Sequence, residues 1–310
     1  VKGGEMGPIR SLKELVDRVR GQRTMTLAVA AGEDPHTIEA THRGAKEGLV
    51  KVVLVGNKAS IEKVAKEHGV DIGVFEIIHE EDPVEAGRIA RDMVRKGEAQ
   101  ILMKGLIPTD RYMKLILDKE NGLLPPGRIL SHIAVMETPK YPKLLFVADV
   151  AVIPLPDLRQ KIAMLNYCIE VAHLFGIECP KAAIIAATEQ VSDKMPATLD
   201  AAIIAKMAQR GQIKGAIVDG PLALDVAISK EACEIKKLKS EVGGDADILI
   251  FPNIETGNVF FKSITKIAGG ELAAMVTGAM APCVLTSRAD TEESKFYSIA
   301  LAALVAGGKE

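Results

Sequence analysis

Tryptophan is absent from this sequence, and aromatic residues fill only 4% of its 310 positions. That scarcity counts against any reading that needs stacking platforms for bases or sugars. An excess of either charge is missing too: 39 Lys and Arg face 41 Asp and Glu, a formal net charge of -2. No bulk attraction to nucleic acid or to a membrane surface follows from such a balance. The four cysteines, Cys168, Cys179, Cys233 and Cys283, form no C-x-x-C pair and have no His at metal-ligand spacing. Neither a disulfide framework nor a zinc site is therefore expected, and a reducing cytoplasm fits. Cys283, in Ala-Pro-Cys-Val-Leu, reads as a small buried hydrophobe. No apolar run approaches the roughly 20 residues of a membrane span. Lys2, Glu5, Arg10, Lys13 and Glu14 interrupt the first residues, so no signal peptide is expected.

Several catalytic signatures are also lacking. There is no G-x-x-x-x-G-K-[ST], which argues against a P-loop nucleotidase. No G-x-G-x-x-G follows the first apolar run, and no G-x-S-x-G elbow occurs. The six His are scattered; His36 and His42 read as residues of one helix face, and only His132, beside Ser131, draws notice.

What is present is an aliphatic core composition, 48% hydrophobic with Ala, Val, Ile and Leu dominant. Such a composition suits buried parallel strands covered by helices, and the length suffices for two domains or one large one. Apolar runs at 26–31, 51–56, 74–78 and 100–103 read as strands, separated by helical patterns near 36–48, 58–68, 83–96 and 109–118. Pro83 after Asp82 marks a helix start. This βαβα order predicts an α/β fold with a mostly parallel sheet. The segments 131–137 and 144–153 follow with no helix between them and predict an antiparallel or crossing pair. Alternation then resumes with helix 157–175, strand 181–187, helix 196–210, strand 215–219, a broken helix 221–239, strand 246–251 and helix 257–269. A strand at 282–286 and a helix at 290–306 close the chain. The change of rhythm near 130–140 places a domain boundary there. The closing helix needs a sheet to cover and is expected to return to the first domain. The expected division is 1–135 plus 276–310 for one α/β domain and 136–275 for the other.

Ligands of open α/β sheets bind outside the carboxyl ends of the strands. Four post-strand segments carry suitable side chains, although turn chemistry gathers similar residues there. Lys104-Gly105 follows an apolar strand and precedes Thr109, offering a cation and close backbone approach before a helix start. A solvated Lys beside a turn Gly is the plainer account. Asp219-Gly220-Pro221 follows Gly-Ala-Ile-Val, with Pro221 read at the first helical position, Asp219 as a helix cap and Asp225 further along. The run Phe251-Pro252-Asn253-Ile254-Glu255-Thr256-Gly257-Asn258, with Lys262 beyond, is a tight polar loop entering a helix. Turn formation explains Gly257, and explains Glu255 and Asn258 less well. Thr286-Ser287-Arg288-Ala289-Asp290 offers an Arg fork for phosphate and a hydroxyl for a developing oxyanion. Asp290 and Glu293 read first as a capping pair.

In this order, Lys104-Gly105 through Thr109, Ile129-Leu130-Ser131-His132, Asp219-Gly220-Pro221-Leu222-Ala223-Leu224-Asp225, Pro252-x-x-Glu255-x-Gly257-Asn258-x-x-x-Lys262 and Pro282-x-x-x-x-Ser287-Arg288 resemble the phosphate acetyl/butyryltransferase family. The likeness runs from about residue 24 to 306. Ser-Arg-Ala-Asp in place of Ser-Arg-Gly looks more like its phosphotransbutyrylase branch. The resemblance implies two α/β domains related to isocitrate/isopropylmalate dehydrogenases, the first discontinuous, with a cleft between them and a homodimer. It also implies the reaction, acyl-CoA plus phosphate giving acyl phosphate plus coenzyme A, with coenzyme A as substrate and no metal or redox cofactor. Small molecules are then the partners, with no nucleic acid and no membrane.

By the same resemblance, Ser287 stabilises the carbonyl oxygen or the leaving sulfur, and Arg288 binds phosphate. Lys104, Gly105, Thr109, Ser131, His132, Glu255, Gly257, Asn258 and Lys262 fall in the substrate-binding segments. The sequence departs from the acetyl branch in two places. That branch has a basic Asp seven positions after the catalytic Ser, where this chain has Ser294. It also has a phosphate-binding Arg after the Thr of its first loop, where alignment on Thr109 gives Lys114, a point charge in place of a fork. The base is left open between Asp219, Asp225 and the acidic residues 290, 292 and 293.

Two rival readings stay open. A metal-dependent dehydrogenase would need a cluster of metal-binding Asp residues, and Asp219, Asp225, Asp245 and Asp247 show no D-x-x-x-D set at the expected loop. A non-catalytic acyl-CoA sensor would bind tightly without turnover. Metal-dependent nicotinamide reduction would distinguish the first, and binding without thiol release the second.

Overall fold

The computed structural model describes residues 7–286 and 290–308. In chain order its elements are α1 (Leu12–Arg20), β1 (Met25–Ala30), α2 (Pro35–Lys46), β2 (Val50–Gly56), α3 (Lys58–Glu67), β3 (Phe75–His79), α4 (Pro83–Arg95), β4 (Ile101–Lys104) and α5 (Thr109–Leu117). There follow β5 (Ser131–Thr138), β6 (Tyr141–Ala148), α6 (Leu158–Leu174), β7 (Lys181–Ile185), α7 (Pro196–Gln209), β8 (Ile217–Leu222), α8 (Leu224–Ile228), α9 (Lys230–Ile235) and β9 (Ile248–Ile250). The last are α10 (Ile254–Lys266), β10 (Glu271–Thr277), β11 (Cys283–Val284) and α11 (Glu292–Gly307).

Helix starts follow side-chain chemistry. Asp34, Asn57, Asp82, Asp157, Asn253 and Thr291 each turn a side-chain oxygen onto a first-turn N–H. Such a cap satisfies a donor that the helix itself leaves open and stabilises it by about 1 kcal/mol. Pro35, Pro83 and Pro196 stand where their missing N–H costs nothing.

The chain divides into two compact units. One holds Leu12–Leu130 and the chain from Leu272 onward, with strand order β3-β2-β1-β4-β11-β10. Its strands run parallel except β10, which is antiparallel to β11. Helix α4 lies on β1, β2 and β4, while α11 lies on β1, β4 and β11 and against α1 and α2. The strands are therefore apolar on both faces: Leu27, Ala28, Val29, Ile101, Leu102 and Met103 are all fully buried. The chain leaves β1 for β2 on one side, whereas β4 joins on the other. The carboxyl ends of β1 and β4 thus flank a topological switch point, the place where such sheets take ligands.

The other unit holds Ser131–Glu271 and the segment ending at Ser11, with strand order β5-β6-β9-β7-β8. Strands β5 and β6 form an antiparallel pair; β6, β9, β7 and β8 are parallel. Helix α6 covers β5, β6 and β9, and α7 covers β7 and β8. Phe146 of β6 meets Phe175 edge to face at 5.1 Å, and the Ile9 N–H donates to the Phe175 carbonyl at 2.7 Å.

The α/β character, the mostly parallel sheet and the 131–148 antiparallel pair match the sequence expectations. Several details differ. Helix α1 and strand β10 were not expected; Glu-Leu-Ala-Ala-Met-Val-Thr is a short apolar run whose periodicity suits helix and strand alike. Strand β6 stops at Ala148, because the next residue, Asp149, turns the chain with its side chain. The broken helix 221–239 is two short helices, α8 and α9. Asp219-Gly220-Pro221 lies inside β8, and α8 begins only at Leu224 behind Ala223. Pro221 is therefore a strand residue, tolerated because β8 is at the sheet edge. Among the described residues no helix is long and apolar enough to cross a membrane.

Candidate active site

In the unit that contains β1, parallel register pairs Ala30 with Lys104, and Met103 with Val284. The ends of β1, β4 and β11 therefore lie side by side. Lys104 is 3% exposed, and its ammonium donates to the Gly105 carbonyl at 3.2 Å. A Cβ on Gly105 would sit 2.0 Å from the Ala31 carbonyl oxygen, so only glycine lets this loop reach β1. The backbone gains two bonds from that approach, Gly105 N–H to Ala30 and Leu106 N–H to Ala31. Thr109 opens α5 and is exposed. Lys114, in the last turn of α5, is 70% exposed and 3.8 Å from Asp110, a pairing worth little in water.

A buried polar cluster adjoins these strand ends. Asp34, the α2 cap, accepts from the Thr37 N–H at 2.8 Å and the Thr37 hydroxyl at 2.6 Å. Lys295, 3% exposed in the first turns of α11, approaches Asp34 at 3.4 Å and Thr286 Oγ1 at 3.3 Å. Burial alone would push the Asp34 carboxyl up, but the Thr37 bonds and the Lys295 charge hold it below its ordinary value. Neither residue stood out in the sequence. Asp-Pro reads as a helix start, and a lone Lys in an early helical turn reads as solvated.

Ser287 and Arg288 lie outside the described residues, between Thr286 and Asp290. The expected Asp290/Glu293 capping pair is replaced. Thr291 caps α11 by accepting from the Ser294 N–H, and Glu293 pairs with Arg43 of α2 at 2.5 Å. The Arg43 guanidinium also stacks 3.7 Å from the centre of the Phe296 ring. Ser294 is 8% exposed, and the Thr291 hydroxyl donates to its Oγ at 3.1 Å.

In the other unit the organising residue is Asp149, which the sequence reading left inside a strand. Its carboxylate is 1% exposed and accepts four bonds: Ser131 Oγ at 2.8 Å, His132 N–H at 2.9 Å, and the Ala151 and Val152 N–H groups at 2.8 Å each. Ser131 and His132 are thereby fixed at the start of β5, with the His132 ring edge-on to Phe261 at 6.4 Å. The same turn receives the first turns of α10, which begins at Ile254, so that Gly257 and Asn258 are helical and not in the loop that the sequence suggested. Asn258 Nδ2 donates to the Val150 carbonyl at 2.9 Å, and a Cβ on Gly257 would stand 2.2 Å from the Asp149 carbonyl oxygen. Gly257→Ala is accordingly expected to cost about 1–3 kcal/mol through overpacking, read as a lowered denaturation midpoint. An unchanged midpoint would mean that the backbone yields there freely.

Glu255 and Lys262 project from α10 into solvent. Asp219 faces Ala183 across the ladder and accepts from the Gly220 N–H and, at 2.5 Å, from Ser240 Oγ. It does not cap a helix. Asp225 is exposed and pairs with Lys236 at 3.0 Å; the Lys236 hydrogen bond holds its carboxyl below the ordinary range. Glu189 accepts from the same ammonium and from the Ala223 N–H, both at 3.3 Å. The structure thus groups Lys104 and Gly105 with the β11 end in one unit, and Ser131 and His132 with Gly257 and Asn258 in the other.

Buried Lys104 at the end of β4, beside the starts of α2 and α11, belongs to an α/β protein whose parallel strands end at a switch point. The chain belongs to the phosphate acetyl/butyryltransferase family: the family model described as "Phosphate acetyl/butaryl transferase" matches residues 11–92 and 84–303. It is 46% identical to a phosphate butyryltransferase of Clostridium acetobutylicum, covering 97% of this chain and 100% of that one. It is 45% identical to a phosphate acetyltransferase of Thermotoga maritima, covering 95% and 99%. Among solved structures it resembles a branched-chain phosphotransacylase from Enterococcus faecalis V583, with a TM-score of 0.80, 31% identity and coverage of 91% and 99%.

Proposed function

We propose that this chain transfers a short acyl group between coenzyme A and inorganic phosphate, acyl-CoA plus phosphate giving acyl phosphate plus coenzyme A. The observation that carries this reading is its likeness, over nearly its full length, to relatives bearing both transferase names. The reaction is direct: a phosphate oxygen attacks the thioester carbonyl, negative charge gathers on the carbonyl oxygen, and the thiolate leaves. A thiol of pKa about 8.5 needs stabilisation or a proton as it departs. Ser287 donates to the oxygen or the sulfur, and Arg288 grips phosphate as a fork. Lys104, with Gly105 and Thr109, supplies charge and close backbone at the β4 end, and Lys114 is a more remote cation. Ser131, His132, Glu255, Gly257, Asn258 and Lys262 belong to the substrate-binding segments.

Asp219 and Asp225 are the carboxylate alternatives for a base. Asp225 is a poor one near neutrality, because Lys236 favours its ionised form. No metal or redox group enters the reaction. A cytoplasmic homodimer with two dehydrogenase-like domains completes the reading, and the discontinuous unit built from Leu12–Leu130 and Leu272 onward supports its domain part.

The test is free-thiol release from butyryl-CoA and acetyl-CoA, with and without phosphate, followed by a thiol-reactive dye. Release should require phosphate and run faster with butyryl-CoA, as the Ser-Arg-Ala-Asp form suggests. Butyryl and acetyl differ by two methylenes, each of which shifts preference by about 1–3 kcal/mol, so the rate ratio should lie within roughly 10^4-fold. No release by a folded sample would remove the acyl-transfer reading.

A further inference from the structure

Helix α7 is apolar on every side: of its 14 residues only Thr198, Asp200, Lys206 and Gln209 are polar. A helix of that kind is ordinarily buried all round. Only one side of α7 is, through Thr198, Ala201 and Ile204, where it covers β7 and β8. On the opposite side Leu199 and Ile203 are 38% and 44% exposed. With Ala202 they form a stripe at helical spacing. Beside that stripe a cleft of about 560 Å³ runs along the edge strand β8, between α7 and residues 239–241. Half-buried Ile217 and Val218 of β8 form part of its floor. One face of the unit that contains β8 is thus apolar and open.

The chemistry of the cleft decides what covers it. Asp219 accepts from the Gly220 N–H at 2.8 Å and from Ser240 Oγ at 2.5 Å, and Lys206 donates to Gln209 at 2.6 Å. Exposed Lys239 and Glu241 at the rim are of opposite sign. A small polar ligand would find little to bind there. An added strand fits no better, because Asp219 takes the Gly220 N–H and Pro221 has none to offer. The occupant therefore contributes apolar side chains, and charge says whose. Exposed Asp193 stands just before α7, whereas exposed Lys206 and Arg210 stand at its other end. The middle of α7 lies between Ala202 and Ile203, inside the apolar stripe. A two-fold axis there lays α7 antiparallel to its copy, stripe on stripe, with each acidic end against a basic one. We infer that α7 and the β8 edge form the surface on which a second copy of this chain docks. This rests on the homodimer of the reading above and gives it a surface.

The experiment is sedimentation of the full chain over a dilution series at low ionic strength, with circular dichroism as a folding control. The unmodified chain is expected at twice the chain mass. Ile203→Glu should raise the dimer dissociation constant at least hundredfold, because the new carboxylate is buried against apolar surface on docking. Asp193→Arg and Arg210→Asp should each weaken the dimer at least threefold. Both together in one chain should restore it to within about twofold, since each end again meets its opposite. Ile267→Glu, at an 84% exposed position at the end of α10 in the same unit, should leave association unchanged. If Ile203→Glu does not fold, Leu199→Gln takes its place with at least tenfold weakening. A dimer that survives the folded variant, or that Ile267→Glu dissociates, overturns this surface and leaves the homodimer standing. Failure of the reversed pair to restore association overturns the two-fold docking. A monomeric unmodified chain overturns both the surface and the homodimer. Absence of thiol release from an intact dimer would defeat the acyl-transfer reading alone.

Discussion

Replacing Ser287 by alanine is expected to lower phosphate-dependent thiol release at least tenfold while the unfolding temperature stays the same. The reason is differential. A hydroxyl aimed at an oxyanion or a departing sulfur gains little in the ground state, where the thioester carries no full charge. It gains most when charge has developed, so its loss falls on turnover and not on substrate affinity. One such donor is worth roughly 3 kcal/mol in a site sheltered from water. Steady-state kinetics with circular dichroism as a folding control decides the matter. Turnover within twofold of the unmodified chain would remove Ser287 from the chemistry and leave Arg288 and the lysines to act through phosphate alone.

Asp149→Ala should be the most damaging single change to stability among the residues named above. Its carboxylate is buried and accepts four hydrogen bonds between 2.8 and 2.9 Å, so alanine strands three backbone N–H groups and one hydroxyl together. With a charged acceptor each bond is worth about 1.5–3 kcal/mol, and partial relaxation leaves a loss of roughly 4 kcal/mol. Asp149→Asn should fall between the two, because one amide oxygen can still serve Ala151 and Val152 while the amide nitrogen opposes the His132 N–H. Urea unfolding followed by fluorescence of the Tyr residues measures both. A loss below about 1 kcal/mol for alanine would show that water replaces the carboxylate and that the turn is not held by it. The effect should also reach Gly257 and Asn258 in the first turns of α10, which rest on the same turn.

These two residues were not equally visible beforehand. Ser287, which lies outside the described residues, is a candidate on a local pattern, a polar, Arg-containing run after an apolar strand. Asp149 sits in Leu-Leu-Phe-Val-Ala-Asp-Val-Ala-Val-Ile, where the apolar alternation argues for a strand running straight through. Only the N–H groups of residues 132, 151 and 152, gathered by the fold, turn that Asp into the centre of a buried hydrogen-bonded turn. Asp219 went astray in the opposite sense. Gly-Pro after an apolar run has the form of a helix start, yet an edge strand accepts the same proline, and sequence does not say which strand is at an edge. Thr291 displaced Asp290 as the α11 cap for an equally local reason, since shifting the helix start by one residue exchanges one good cap for another.

Most elements, their order and the parallel character of the sheet were determined by the sequence, α1, β10 and the end of β8 excepted, because hydrophobic period, caps and prolines act over a few residues. Which charges are buried was decided by tertiary structure alone. Lys295 looks like any lysine at the head of an amphipathic helix until α2 brings Asp34 beside it and β11 brings Thr286. Arg43 and Glu293 meet across 250 positions of chain, a distance over which no periodicity carries information. Burial depends on what the rest of the molecule packs against a residue, and for an ionisable side chain it decides whether the charge is solvated by water or paired within the protein.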